Sequence, residues 1–203
     1  MAQRSRGSAV VRAVKRRSEH LAEALRPARG QNDADHPADR IGARLVVSPV
    51  FVVSASARAT EALAERLGAH PEIVAPKGLR LETLSVEPNR DYSEAIMGAL
   101  GLDREELDHL LWDRVLHHEL VRSGRSVIVD TSPANALIWR RILRAWPSAR
   151  FVFVTDDATG DPAVQAALHE AMGELNGVEV SHKALTADPG EEIRRVLAHL
   201  GLA

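Results

Sequence analysis

Residues 48–73 read SPVFVVSASARATEALAERLGAHPEI, and this stretch decides the fold class. Residues 50–53 (VFVV) are a short apolar run rich in β-branched side chains, the pattern of a strand buried on both faces. Residues 54–59 are small or polar, and residues 60–67 then take helical spacing through Leu63 and Leu67. Gly68 and Pro71 close that helix. A strand running through a tight loop into a helix aims backbone N–H groups and the positive end of a helix dipole at whatever lies beyond the strand.

Working outward, the alternation continues. The spacing predicts helices over 92–100 behind Asp91, 104–122 behind Asp103 and stopped at Gly124, 134–145 after Ser132-Pro133, 162–175, and 189–200 closed by Gly201. Short apolar runs at 127–129, 151–154 and 178–180 predict further buried strands. Strands alternating with helices give an α/β fold of three layers, with a short central parallel sheet flanked by helices. Residues 27–42 (PARGQNDADHPADRIG) are rich in Pro, Gly, Asp and Asn and read as a linker. The expected organisation is a basic arm and linker over 1–42 and an α/β domain over 43–203.

Charge agrees with that division. Residues 1–30 carry eight Arg/Lys and two acids, a balance of +6, while the rest carries 18 basic and 26 acidic residues, a balance of −8. The net charge of −2 therefore hides a basic arm on an acidic body. The arm reads as a solvated helix or tail, and nucleic acid is not the expected partner. With no cysteine among 203 residues, disulfides, thiolate nucleophiles and cysteine-ligated metals are excluded. No apolar run approaches the roughly 20 residues of a membrane-spanning helix, and nothing resembles a secretory signal. The expected setting is cytoplasmic. Aromatics are only 3% of the chain, so Leu, Val, Ile and Ala must build most of the core. Trp112, Trp139 and Trp146 are expected to pack rather than bind.

Ligands of open α/β sheets sit beyond the carboxyl ends of the strands. Three segments qualify: 54–61, 130–135 and 155–160. His70 is either a base near the first loop or part of the helix closure Gly-Ala-His-Pro, the second being the better reading. Asp130 ends a strand at the cleft and either caps the next turn, the better reading, or acts as a base. His117-His118-Glu119 lacks the spacing of a metal-binding H-E-x-x-H, and no metal is expected.

The quoted stretch resembles the opening of bacterial sulfotransferases: a strand, a loop of the type S-x-P-R-S-G-[ST]-T, a helix, then G-x-H-P-E-[IL]. Two more blocks agree in order. Residues 126–154 (SVIVDTSPANALIWRRILRAWPSARFVFV) resemble the family's V-[DE]-K-[ST]-P-x-N, helix and F-P-x-A-R-F-[IV] strand. Residues 182–202 (HKALTADPGEEIRRVLAHLGL) resemble its closing Y-E-D-L-x-x-D-P and helix. The resemblance implies transfer of a sulfuryl group from 3′-phosphoadenosine 5′-phosphosulfate (PAPS) to a hydroxyl or amine of a small molecule, sugar or peptide, without a metal. It implies that the first loop holds the phosphosulfate, which here maps onto Ser54, Ser56, Ala57, Arg58, Ala59 and Thr60. Ser132 is the corresponding contact in the second block.

Residue by residue, the match breaks at the charged positions. In register with Gly68-Ala69-His70-Pro71, the loop Arg falls on Ala57, the Ser on Arg58, the Gly on Ala59 and the second hydroxyl on Glu61. The Lys of the second block falls on Thr131, and the downstream carboxylate base falls on Gly78. The Arg that holds the 3′-phosphate falls on Asp156. Ala59 is expected to strain or reshape the loop, and Glu61 to oppose an anion from the first helical turn. Asp156 turns attraction into repulsion. The reading is a sulfotransferase scaffold with lost or much weakened catalysis, a binding or regulatory protein that takes an acceptor-like ligand, self-associates or pairs with an active relative. The alternative is an active small-molecule sulfotransferase with an altered donor site in which Arg58, Thr60 and Ser132 carry the remaining contacts. In that case PAPS or its product adenosine 3′,5′-bisphosphate is the cofactor, and Arg58, His70 and Asp130 are the catalytic candidates.

Overall fold

In a computed structural model, residues 44–87, 91–156 and 161–202 are described. The expected arm and linker, 1–42, lie outside them. The elements in chain order are β1 (Val50–Ser54), α1 (Ala57–Gly68), β2 (Ile73–Val74), a 3-10 turn (Leu81–Thr83), α2 (Asp91–Ala99), α3 (Arg104–Ser123) and β3 (Val127–Asp130). Then follow α4 (Asn135–Ala145), β4 (Arg150–Thr155), α5 (Pro162–Glu174), β5 (Gly177–Ser181), α6 (His182–Ala187) and α7 (Pro189–His199).

The five strands form one sheet in the order β2-β3-β1-β4-β5, and every pair is parallel. β1 lies in its centre, and all five of its residues are buried. Successive side chains on a strand point to opposite faces, so its VFVV run feeds two cores at once. Val50 and Val52 join Leu63 and Leu67 of α1, Leu185 of α6 and Val196 of α7 on one face. Phe51 and Val53 join Trp112 and Leu116 of α3, Trp139 and Ile142 of α4, and Leu168 of α5 on the other. Each such fully buried Leu or Phe contributes about 1.5–3 kcal/mol. The three layers are those expected, and all three tryptophans are buried in the core.

Several elements depart from the sequence reading. β2 is a fifth strand of only two residues and shows no periodicity to read. α6 is a six-residue helix where the spacing predicts none. Asp91 is the first residue of α2 rather than its cap. α1 starts at Ala57, three residues before the apolar spacing begins, because Ser56 caps it: its hydroxyl accepts from the Ala59 amide.

Candidate functional site

β1 leaves the sheet toward β2 on one side, and β4 leaves toward β5 on the other. These neighbouring strands therefore mark the switch point of the sheet, where α/β folds bind ligands. Ser54 pairs with Val154 across the ladder, so Ser56 and Asp156, each two residues further on, emerge side by side. Only Ala55 and Ser56 separate strand from helix, and the hydroxyls around this turn are already spent. Ser54 Oγ donates to the Val154 carbonyl at 2.9 Å and accepts from the Ser56 amide at 3.0 Å. Thr60 Oγ1 donates to the Ser56 carbonyl at 2.9 Å. Ser56 Oγ donates to Asp156 Oδ2 at 2.7 Å while accepting from the Ala59 amide.

Asp156 thus stands at the positive end of α1. Its other oxygen lies 3.4 Å from Nδ1 of His182, the first residue of α6, and both side chains are about one-sixth exposed, at 15% and 16%. Beside them opens a cavity of about 110 Å³ lined by Ser56, Thr155, Asp156, Gln165 and His169. Ligand pockets for drug-sized molecules run to several hundred Å³, so this one admits a fragment.

Among the predicted site residues, Ser54, Ser56 and Thr60 are brought together, but as a closed hydrogen-bonded turn. Ala57 and Arg58 are exposed on the first helical turn, whereas Ala59 is fully buried against the sheet. One expectation is narrowed and one corrected. Of strain or reshaping at Ala59, strain is absent, since it lies within α1 and Arg80 is the sole non-glycine residue with positive φ among those described. Glu61 is not in the first turn of α1, which carries no acid; the charge at the helix end belongs to Asp156. Neither His182 nor its meeting with Asp156 had any signal in the sequence.

His70 sits at the far end of α1, about 18 Å along a 12-residue helix. Its Nδ1 accepts from the Glu72 amide, and its carbonyl accepts from Arg125, which also reaches the carbonyls of Gly68 and Ile73. It closes the helix at the amino-terminal edge of the sheet, away from the loop. Glu119 is paired with Arg122, and among the described residues no group of three or more His, Cys, Asp or Glu is placed to hold a metal. No helix among the described residues is long and apolar enough to cross a membrane.

The segment after β3 forms a second polar cluster. Asp130, 1% exposed, accepts through Oδ1 from the Ser132 amide (3.0 Å) and hydroxyl (2.7 Å). Ser132 Oγ in turn accepts from the Arg80 amide at 3.1 Å. Through these bonds Asp130 ties down the turn that follows β3. Burial raises the pKa of its carboxyl above the usual range; the Ser132 hydrogen bonds oppose that rise and the charge of Glu82 adds to it. Asn135 bridges the ends of two strands through Nδ2, to the Val52 carbonyl (3.1 Å) and the Asp130 carbonyl (3.2 Å).

This fold is that of sulfotransferases. A sulfotransferase domain from the curacin biosynthetic pathway superposes with a TM-score of 0.53 at 12% identity, over 77% of this chain and 74% of that one. The sulfotransferase STF1 of Mycobacterium tuberculosis gives a TM-score of 0.46 at 13% identity, over 80% and 70%. No protein-family model matches the chain, and no curated protein matches it.

Proposed function

We propose that this chain is a sulfotransferase-fold protein that does not transfer sulfuryl groups and acts by binding, to an acceptor-like small molecule or sugar or to an active relative. One observation carries the reading: the Asp156 carboxylate, hydrogen-bonded to Ser56 at the positive end of α1. That is where the phosphosulfate of PAPS would be held in this fold. The residues present do not fit that group, because an arriving phosphate meets a carboxylate of like charge. At about 4 Å, such a pair repels by roughly 4 kcal/mol at an effective dielectric near 20. Half of that, with solvent between them, still costs about 30-fold in affinity.

The test is calorimetric titration of the purified protein with adenosine 3′,5′-bisphosphate at low salt, beside AMP. The expected result is no binding at millimolar ligand. Selective micromolar binding of the bisphosphate would overturn the proposal and restore the reading of an active enzyme with an altered donor site.

A further inference from the structure

The flank formed by α2 and the start of α3 carries apolar side chains that the described body does not cover. No residue of α2 whose exposure is described is buried, and Ile96 and Met97 are only partly covered. Leu100, just past the end of α2, is 53% exposed. Between the two helices lies a hollow of about 210 Å³, lined by the apolar Met97, Gly98, Leu102 and Leu107 and by the charged Glu94, Asp103 and Arg104. A Cβ built on Gly98 meets no atom within 4 Å, so there is open space at that point.

We propose that this hollow is the seat of the chain's own basic arm, which lays one apolar stripe across it. Residues 9–26 (AVVRAVKRRSEHLAEALR) lie outside the described residues, and their sequence has the pattern such a seat needs. Val10, Val14, Leu21 and Leu25 follow one another at steps of four, seven and four. At helical spacing these share one face, with Arg12, Arg16, Glu19, Glu23 and Arg26 opposite. A helix of that length is marginal in water and gains most of its stability by packing its apolar face.

The chain also enters the body beside this hollow. The buried guanidinium of Arg44 holds both carboxylate oxygens of Glu106. The Glu106 amide donates to Asp103 Oδ1 at 2.7 Å, so the entry point is within one helical turn of the lining residues. The 17 residues from 27 to 43 span at most about 60 Å when extended. A tether of that order keeps the arm at roughly millimolar effective concentration, so a weak contact suffices. Charge agrees: residues 1–30 have a balance of +6, and residues 87–106, with six acids and two Arg, have −4. Glu94 is paired with Arg104, but both side chains are at least half exposed and the pair is weak. Arg17, on the edge of the stripe, competes with Arg104 for that carboxylate. The seat goes beyond the proposed function and does not depend on it, since it uses none of the groups around Asp156.

Paramagnetic broadening in the full chain tests it. With no cysteine in the sequence, Arg16→Cys gives one attachment point for a nitroxide and leaves the apolar stripe intact. In isotope-labelled protein the amide signals of Gly98 and Leu102 should be lost and should return when the nitroxide is reduced, while Val180 in β5 keeps its signal throughout. Leu21→Lys combined with Leu25→Lys should restore the lost signals. Gly98→Lys, which puts a cation into the open space, should restore that of Leu102 from the other side. A mixture of nitroxide-bearing chain without isotope and isotope-labelled chain without nitroxide should show no losses. Losses in that mixture would put the arm of a second copy in the hollow and overturn the proposal. Full signals in the labelled chain, or losses that both sets of variants leave unchanged, would overturn it as well.

Discussion

Replacing Asp156 by Asn removes one charge and almost no volume. Asn can still accept from Ser56 Oγ, so what disappears is the ionic part of a 2.7 Å hydrogen bond and the attraction of a carboxylate to the end of α1. Hydrogen bonds to charged groups contribute about 1.5–3 kcal/mol against about 0.5–1.5 for neutral ones. A charge at a helix terminus adds about 0.3–1. With only 15% of the side chain exposed, solvent screens little of this. The variant should therefore be about 2 kcal/mol less stable in a phosphate-free buffer. For a chain of this size, that lowers the melting midpoint by about 4–8 °C. The same change uncovers the helix end, so inorganic phosphate or adenosine 3′,5′-bisphosphate should return part of the loss by binding the folded state alone. Differential scanning fluorimetry over a ligand titration at constant ionic strength reads both effects. A variant as stable as the parent would mean that Asp156 does not serve the helix. An identical phosphate response in the two proteins would mean that it does not close the seat.

Other positions give independent tests. The carboxyl of Asp130 has a raised pKa in the fold, so the parent should lose stability as pH rises from the unfolded value, near 4, through the folded one. Asp130→Asn should lack that decline, and urea denaturation across the range will show the gap moving in the variant's favour. His109, 3% exposed on α3, has its pKa lowered by burial. The parent should lose stability as pH falls below about 6.5, where the unfolded histidine takes a proton that the folded one resists. His109→Gln should flatten that acid limb in thermal melts. In β5, a Cβ on Gly177 would lie 2.6 Å from the Phe153 ring and 2.7 Å from the Phe151 carbonyl. Because one of those atoms is backbone, Gly177→Ala should cost about 1–3 kcal/mol by chemical denaturation; a neutral result would show that the β4–β5 edge is loose.

Much of the architecture is written locally and much of the site is not. Asp103 and Gly124 bracket α3 in the sequence as they do in the fold, since a cap is a contact between near neighbours and leaves a readable residue at each end. β2 left no such trace, because two residues cannot show a period; Ile73 and Val74 are a strand only by pairing with Val127 and Ile128. The same limit governs the site. The resemblance to sulfotransferases marks Asp156 as a reversed charge, yet its effect depends on Ser56, 100 residues earlier, and on His182. The strand register creates those meetings, and no spacing in the sequence encodes them. Glu61 illustrates the converse: its expected place in the first turn fell when the helix began three residues sooner.

Asn135 carries a consequence for how this crevice can open. β1 and β3 are paired through Val50–Val129 and Phe51–Asp130, and beyond that the Asn135 amide takes up the Val52 and Asp130 carbonyls. One side chain thus serves as the last rung of a ladder whose rails have begun to part. The two strands are bridged there by a side chain and not by backbone pairing. Asp130 lies only five residues before Asn135, so parting the strands spares that bond and falls on the one to Val52: this part of the rim is held to β1 by a single side-chain tether.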